Sequence, residues 1–253
     1  MCALAAHYAK KGALFTSDSS RMSTSVLADE FLSEAVRIVP LSYDKGDINL
    51  LRSYGLLALV GAQNGDDDLL HRYLGLYHGL AAYIGIYSEE RWPPSLSECE
   101  KEVWRRIFWA MYRFEVHNAC VLGHVIRIPE FQTFVLYPCG VHHLPLLPGR
   151  NGMFENWFAG WNFTTDLYRI LEHAIVDFRT KTSAQTTVLW SRNTPRVASI
   201  MDQLSIMQLS LMPQFAQAAM KSSDSGSNRC GFQVANILCT IHVCSPIGPI
   251  VSS

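Results

Sequence analysis

The fold class is decided by residues 96–112, LSECEKEVWRRIFWAMY. Ser97 and Glu100 have the spacing of a capping box, in which the serine hydroxyl accepts a hydrogen bond from a first-turn amide and the glutamate reaches back to the cap. A long helix is therefore predicted to begin here and to run to about residue 121. Its apolar residues recur at helical spacing along one predicted inner face, at Val103, Ile107, Ala110 and Phe114. Glu102 is predicted to lie on the outer side.

Helical periodicity extends over most of the remaining chain. Runs of apolar residues at helical spacing predict six helices, at 26–38, 48–63, 67–84, 97–121, 157–179 and 197–221. After Gly123 the periodicity is lost, and four prolines mark a connector that ends near Gly152. The sequence therefore predicts an all-α fold, an irregular multi-helix domain with a long Pro/Gly-rich connector.

Helix ends are signalled by individual residues. Asn64-Gly65 is predicted to close the helix at 48–63, and the acids that follow, Asp66 to Asp68, suit the positive end of the next helix dipole. Within that next helix Gly75 and Gly79 lie one turn apart. Because glycine is unfavourable in an exposed helix, this pair predicts a groove where another helix approaches closely.

Length and composition bear on domain organisation. The 253 residues are enough for one large core, and a single helical domain is predicted over 1–221. A Ser-rich stretch then opens a segment at 222–253, predicted to be a linker followed by a short C-terminal part whose apolar pattern fits a helix or a strand. Seven scattered cysteines in a chain of this size are interpreted as reduced thiols.

The charge balance excludes several classes of protein. The formal net charge is −1, whereas a domain that binds DNA by itself normally has a clustered basic excess. We therefore expect no sequence-specific DNA binding by this chain alone. No apolar run reaches the roughly 18 residues that span a bilayer, and no membrane association is predicted.

Histidines are the first candidates for a metal site. His71 and His78, like His117 and His124, are seven residues apart on one helix, which is about 10.5 Å along the axis and too far to share one ion. The adjacent pair at 142–143 has no cysteine or carboxylate cluster at zinc spacing beside it. No metal ligand and no cofactor are predicted.

Other groups could carry chemistry. Glu98, Glu100 and Glu102 could be an acid–base set, but acids are expected in the first turns of a helix. The aromatic residues between Trp157 and Phe163 could line a pocket, although core packing is the simpler interpretation. The sequence contains no hydrolase elbow and no phosphate-binding glycine loop. No catalytic residue is predicted, and the position of any ligand pocket is left open.

Residues 96–112 resemble the signature of the fungal-specific transcription factor domain, also called the fungal middle homology region. That signature has an acid, two or three arginines, an apolar residue, Phe-Trp and a further aromatic residue. The matching residues are Glu102, Arg105, Arg106, Phe108, Trp109 and Tyr112. Trp104 stands where a first arginine is usual.

Two further segments are similar to the same family. Leu122-Gly123-His124-Val125 falls where the family has Leu-Gly-Arg-Pro, so Gly123 matches and the Arg-Pro pair is replaced. Residues 160–173 resemble a stretch found in one branch of the family. The likeness covers roughly residues 2–180. The motif residues are expected to be structural, although Arg105 and Arg106 could instead read an anionic effector.

The resemblance implies a nuclear regulator whose helical domain controls a transcriptional activator. The family reads DNA with six cysteines that hold two zinc ions, and this spacing is absent here. We therefore expect a chain that begins after the DNA-binding region. It would be an incomplete gene model, a short isoform or a paralogue without DNA binding. A paralogue without DNA binding would be cytoplasmic. The implied partners are a second copy, the transcription machinery or a small-molecule effector. The alternative is a helical domain repurposed to bind or convert a small molecule, with His142-His143 and the aromatic cluster as its candidate groups.

Overall fold

The regular elements are helices throughout the part of the chain that can be described. The structure is a computed structural model that describes residues 2–10, 21–43, 46–139, 151–182, 200–210 and 234–241. No helix within these ranges is long and apolar enough to cross a bilayer. The predicted all-α class is confirmed. In chain order the helices are α1 (Cys2–Lys10), α2 (Arg21–Ile38), α3 (Ile48–Asn64), α4 (Asp67–Ile84), α5 (Glu98–Leu122), α6 (Asn151–Thr182), α7 (Ile200–Leu209) and α8 over residues 234–241.

The predicted helix positions agree with the observed ones to different degrees. The bounds of α3, α4 and α5 lie within a residue of those predicted, whereas α2 and α6 begin five or six residues earlier. Only the first half of the helix predicted at 197–221 falls on described residues, as α7. The predicted connector is described over residues 124–139, where its regular structure is one 3-10 turn at Glu130–Gln132; its remainder lies outside the described residues.

The chain forms two compact units, Met1–Ser95 and Leu96–Ser253. The predicted domain limit at residue 221 lies outside the described residues, so the division into 1–221 and 222–253 stays a prediction. Within the second of those segments, residues 234–241 are helical. The helix is thus the correct alternative of the two that the apolar pattern allowed.

In the first unit, α3 and α4 form an antiparallel hairpin with defined ends. The Asp47 carboxylate caps α3 by accepting a hydrogen bond from the Asn49 amide at 2.8 Å, and Asp66 caps α4 in the same way through Leu69 at 2.9 Å. Gly65, with φ of 69°, takes the left-handed conformation that ends α3. The sequence signals for these ends are confirmed.

α3 and α4 approach each other closely at Gly61. A Cβ placed on this residue would lie 2.6 Å from the backbone nitrogen of Leu70 and 3.1 Å from the carbonyl oxygen of Asp66. The predicted glycine groove on α4 behaves differently: Gly79 meets the side chain of Tyr43, and Gly75 faces no described atom within 4 Å. The contact that requires a glycine is therefore on α3.

In the second unit, α5 has the ends that its sequence indicates. The Ser97 hydroxyl accepts a hydrogen bond from the Glu100 amide at 3.3 Å, and the Glu100 carboxylate accepts one from the Ser97 amide at 2.8 Å. Gly123 has φ of 74° and ends the helix in the left-handed region. The capping box is confirmed, and Gly123 has a conformational reason for its place in the motif.

The predicted inner face of α5 is wrong. Val103 and Ala110 are exposed, while Ile107 and Phe114 are only half-buried. The face that is buried carries charged side chains among its aromatic ones, so a pattern built on apolar residues alone could not find it. Its buried residues are Glu102, Trp104, Arg105, Phe108, Trp109, Tyr112, Glu115, Val116, Asn118 and Ala119.

The buried apolar residues of α6 form one stripe along the helix. Leu167, Ile170, Leu171 and Ala174 are buried, whereas Phe178 is 41% exposed. This helix packs against α5. The two long helices therefore form the frame on which the connector rests.

Substitution of Gly61 tests the close approach in the α3/α4 hairpin. Gly61→Ala should lower the free energy of unfolding by about 1–3 kcal/mol or more, because the new methyl group meets backbone atoms that cannot rotate away. Gly75→Ala, on an exposed position of α4, should instead raise it by about 0.5–1 kcal/mol. Chemical denaturation of both variants measures the difference, and equal effects would contradict the proposed packing.

Candidate functional site

Glu102 is a buried carboxylate at the start of α5 whose two oxygens are both engaged. Oε1 accepts a hydrogen bond from Nε of Arg106 at 2.9 Å. Oε2 accepts one from the backbone amide of Cys139 at 3.1 Å and lies 3.9 Å from Nη1 of Arg105. The side chain is only 3% exposed. One carboxylate therefore joins two arginines of the sequence motif to the connector at Cys139, and its predicted position on the outer side of the helix is wrong.

The two motif arginines differ in their surroundings. The Arg105 side chain is 10% exposed, and the Arg106 side chain is 45% exposed. The guanidinium carbon of Arg106 lies 4.7 Å from the ring centroid of Phe158 on α6. Arg105 is thus the inward member of the pair, which the sequence left undecided, and both arginines share the Glu102 carboxylate.

The aromatic residues of the motif hold the middle of the connector. Trp109 donates a hydrogen bond from its indole nitrogen to the carbonyl oxygen of Leu136 at 2.9 Å, and its ring lies 4.8 Å from that of Tyr137. Phe108 and Tyr112 pack edge-to-face against the same indole, at 5.1 and 5.3 Å between ring centroids. These contacts give the Phe-Trp-Tyr part of the motif a structural role.

Tyr112 also belongs to a buried polar contact with α6. Its hydroxyl donates a hydrogen bond to the Glu172 carboxylate at 2.6 Å, and the same carboxylate accepts the Glu130 amide of the connector at 3.1 Å. Burial raises the pKa of Glu172, although these two hydrogen bonds act in the opposite direction. Burial and the neighbouring Glu172 charge raise the pKa of Tyr112. Glu172 thus accepts hydrogen bonds from both α5 and the connector.

Arg169 on α6 links two further points of the connector. It pairs with the Glu130 carboxylate and with Asp166 at 3.1 Å, and it donates a hydrogen bond to the Tyr137 hydroxyl at 3.0 Å. The Tyr137 hydroxyl in turn donates to Asp166. Burial acts to lower the pKa of Arg169, but Tyr137 and Glu130 outweigh it and raise that pKa.

The first residues of the connector are held in the same manner. Glu115 on α5 accepts the backbone amide of Arg127 at 2.8 Å. Arg179 on α6 donates to the carbonyl oxygens of His124 at 2.7 Å and of Ala119 at 2.8 Å. The carbonyl of Ala119 lies in the last turn of α5, where a cation suits the helix dipole.

We call this set of contacts the connector clamp. It is formed by the polar and aromatic side chains of α5 and α6 that bind the connector at residues 124–139, principally Glu102, Trp109, Tyr112, Glu115, Arg169, Glu172 and Arg179. All of the predicted motif residues from Glu102 to Gly123 lie in it or directly beside it. Its carboxylates accept hydrogen bonds from the chain itself, so the arrangement holds a loop in place.

Half of the clamp was missed from the sequence. Asp166, Arg169 and Glu172 follow one another at three-residue spacing, and this places them on one side of α6. The row lies next to the buried stripe that contains Leu167 and Leu171. Charged residues repeating beside an apolar stripe are the signal that could have identified these side chains as paired.

The remaining candidates separate into described and undescribed residues. Phe158 and Trp161 of the aromatic cluster each lie beneath an arginine of α5, while the histidine pair at 142–143 lies outside the described residues. Among the residues that the structure describes, no group of three or more His, Cys, Asp or Glu is placed to hold a metal ion.

Comparison with known families agrees with the resemblance seen in the sequence. The model of the fungal specific transcription factor domain matches residues 1–147, which is more than half of the 253 residues. The match covers α1 to α5 and the described part of the connector, residues 124–139, whereas α6 lies beyond it. No curated protein and no solved structure matches this chain.

Removal of the Glu102 carboxylate tests its central place in the clamp. Glu102→Ala leaves the buried Arg105 cation without this partner and the Cys139 amide without its acceptor, so the free energy of unfolding should fall by about 3–5 kcal/mol. Glu98→Ala is the matched control, because Glu98 is 63% exposed on the same helix and pairs with Lys101. This control should lose less than about 1 kcal/mol. Similar losses in the two variants would contradict the buried role of Glu102.

The raised pKa of Glu172 predicts a pH dependence of stability. The folded state binds this proton more readily than the unfolded chain, so the group's contribution is full below the ordinary pKa of 4.5 and is lost as pH rises through the raised value. Glu172→Gln keeps an acceptor oxygen and removes the charge. Its free energy of unfolding relative to wild type should therefore increase from acid to neutral pH in denaturation series.

A second variant tests the cause of that dependence. The Tyr112 hydroxyl lowers the pKa of Glu172 through its hydrogen bond, so Tyr112→Phe should extend the decline in stability to higher pH. A difference between wild type and Glu172→Gln that is constant over the whole pH series would show that the carboxyl group does not titrate as described.

Proposed function

We propose that this chain, which belongs to the fungal specific transcription factor domain family, is the regulatory domain of a zinc-cluster-type transcription regulator and does not itself read DNA sequence. At the family level it is a transcription-factor regulatory domain. The observation that carries the finer proposal is the connector clamp. The motif residues that mark the family are occupied with the chain's own connector, which leaves them no part in recognising bases.

The charge of the chain supports the same proposal. Lysine and arginine number 21 against 22 aspartate and glutamate residues, whereas binding to the phosphate backbone depends on a surplus of cations. Arg105 and Arg169 are paired with carboxylates inside the clamp. We therefore assign DNA recognition to a separate six-cysteine zinc-cluster region and assign no zinc to this chain.

The proposal extends to location and partners. A regulatory domain of this family acts in the nucleus, where it contacts the transcription machinery, a second copy of itself or a small-molecule effector. The clamp supports a regulatory interpretation because it joins two long helices to one loop through many separate hydrogen bonds. A change in any of these contacts alters the surface that the connector presents.

Binding of DNA by the purified chain tests the first part of the proposal. Fluorescence anisotropy with a mixed pool of labelled duplexes at physiological salt should give only weak binding, with Kd in the range of about 10⁻⁴–10⁻⁶ M that is typical of non-specific contacts. Fusion of the chain to an unrelated DNA-binding domain should change the output of a reporter carrying that domain's site. The unfused DNA-binding domain is the control.

Two results would contradict the proposal. Nanomolar binding to one duplex sequence by the unfused chain would make it a DNA reader. A fusion whose reporter output equals that of the DNA-binding domain alone, although the fused chain is folded and abundant, would remove the regulatory role.

A further inference from the structure

Among the residues that the structure describes, Arg113 has no acidic partner, whereas Arg105 and Arg106 of the same helix pair with Glu102. Its guanidinium carbon lies 3.9 Å from the ring centroid of Trp161 on α6. Arg106 is stacked in a similar way on Phe158 but shares its charge with Glu102. Within the described ranges Arg113 makes no ion pair and no hydrogen bond to a carboxylate. The same stacking geometry thus occurs twice on these helices, once with a counter-charge and once without.

An uncompensated guanidinium in this position is energetically unfavourable. Removing a cation from water is costly unless a paired group replaces the lost hydration. Burial lowers the pKa of Arg113 to about 10, with only the neighbouring Tyr168 acting in the opposite direction. The Trp161 ring covers one face of the guanidinium. The N–H groups of Arg113, however, point outward in the guanidinium plane and require acceptors there. The arrangement therefore has donors to offer to a molecule from outside.

We propose that Arg113 and Trp161 form a binding site for a small organic carboxylate. A carboxylate is planar, carries one negative charge and accepts two parallel hydrogen bonds from the edge of a guanidinium. Arg113 is half-buried and therefore still reachable by such a ligand. The indole of Trp161 and the nearby Tyr168 provide aromatic surface for an apolar body attached to the carboxylate.

A phosphate group fits the same place less well. A phosphate monoester carries close to two negative charges at neutral pH, and Arg113 supplies one positive charge. The next ionisable residue along this side of α5 is His117, whose pKa is lowered by burial, so the imidazole is neutral at pH 7. The balance of charge therefore favours a monoanion.

This site is separate from the connector clamp and goes beyond the proposed function. Arg105 and Arg106 were the arginines that the sequence offered for an anionic effector, and both are paired with Glu102. Arg113 takes part in none of the hydrogen bonds that hold the connector. The two proposals can fail independently. DNA or reporter results that contradict the regulatory function would not affect the anion site, and a failure to bind an anion would not affect the regulatory function.

Calorimetric titration of the full chain with benzoate tests the proposal. Wild-type protein should bind benzoate more tightly than inorganic phosphate, and benzoate should raise its melting temperature. Arg113→Gln should weaken benzoate binding at least tenfold, and Arg113→Lys, which keeps the charge without the planar fork, should weaken it by a smaller factor. Arg91→Gln is the control, because Arg91 also lies over an aromatic ring, that of Tyr87, at 5.5 Å, and should change binding less than twofold.

The outcomes that overturn the proposal are distinct. They are an absence of benzoate binding by folded wild-type protein, an equal weakening by Arg113→Gln and Arg91→Gln, and tighter binding of inorganic phosphate than of benzoate. Because Arg113→Gln removes an uncompensated charge, the variant should remain folded. Its circular dichroism and melting temperature check this before the titration.

Discussion

The second unit depends on one constraint, which is that a buried carboxylate must be fully paired. Glu102 lies in the first turns of α5 with almost no exposure to water, and an isolated charge there would destabilise the fold by several kcal/mol. Two arginines and the amide of Cys139 meet this requirement. The carboxylate thereby fixes the connector to the start of α5 at Cys139. Other buried carboxylates of the clamp are paired in the same way, since Glu115 and Glu172 also accept hydrogen bonds from backbone amides of the connector.

The clamp also explains what the family motif encodes. Its acid, Arg105 and its aromatic residues lie on the buried face of α5. Glu102 and Trp109 contact the connector, and Tyr112 contacts α6. The family match ends at residue 147, so the α5 half of the clamp falls inside the matched region and the α6 half, with Arg169 and Glu172, falls outside it. A motif of this kind specifies how a helix binds a loop. It is therefore compatible with many ligands and partners, which other surfaces must select.

The sequence predicted the helices well and the buried face of α5 badly, for a physical reason. Helix ends depend on local chemistry, such as the Ser97 cap or the left-handed Gly123, and this can be read without tertiary structure. Burial of a charged residue depends on partners distant in sequence: Glu102 needs an amide 37 residues away. Apolar periodicity counts such a residue as exposed. Val103 and Ala110 were therefore assigned to the inside, and Glu102 was assigned to the outside.

The same reasoning separates structural charges from those available to a ligand. On α5 and α6 the buried acids Glu102, Glu115 and Glu172 all accept hydrogen bonds from backbone amides of the connector. Their carboxylate oxygens are therefore already engaged within the fold. Arg113 departs from this pattern, because the packing of α5 on α6 desolvates it and its contact within the described ranges is the face of the Trp161 indole. A charge that the fold places in this way without a partner is stabilised when a ligand supplies one. The pairing of charges among the described residues of α5 and α6 therefore points to the proposed anion site at Arg113 more directly than the family motif does. The charged residues of the motif already have their partners within the chain.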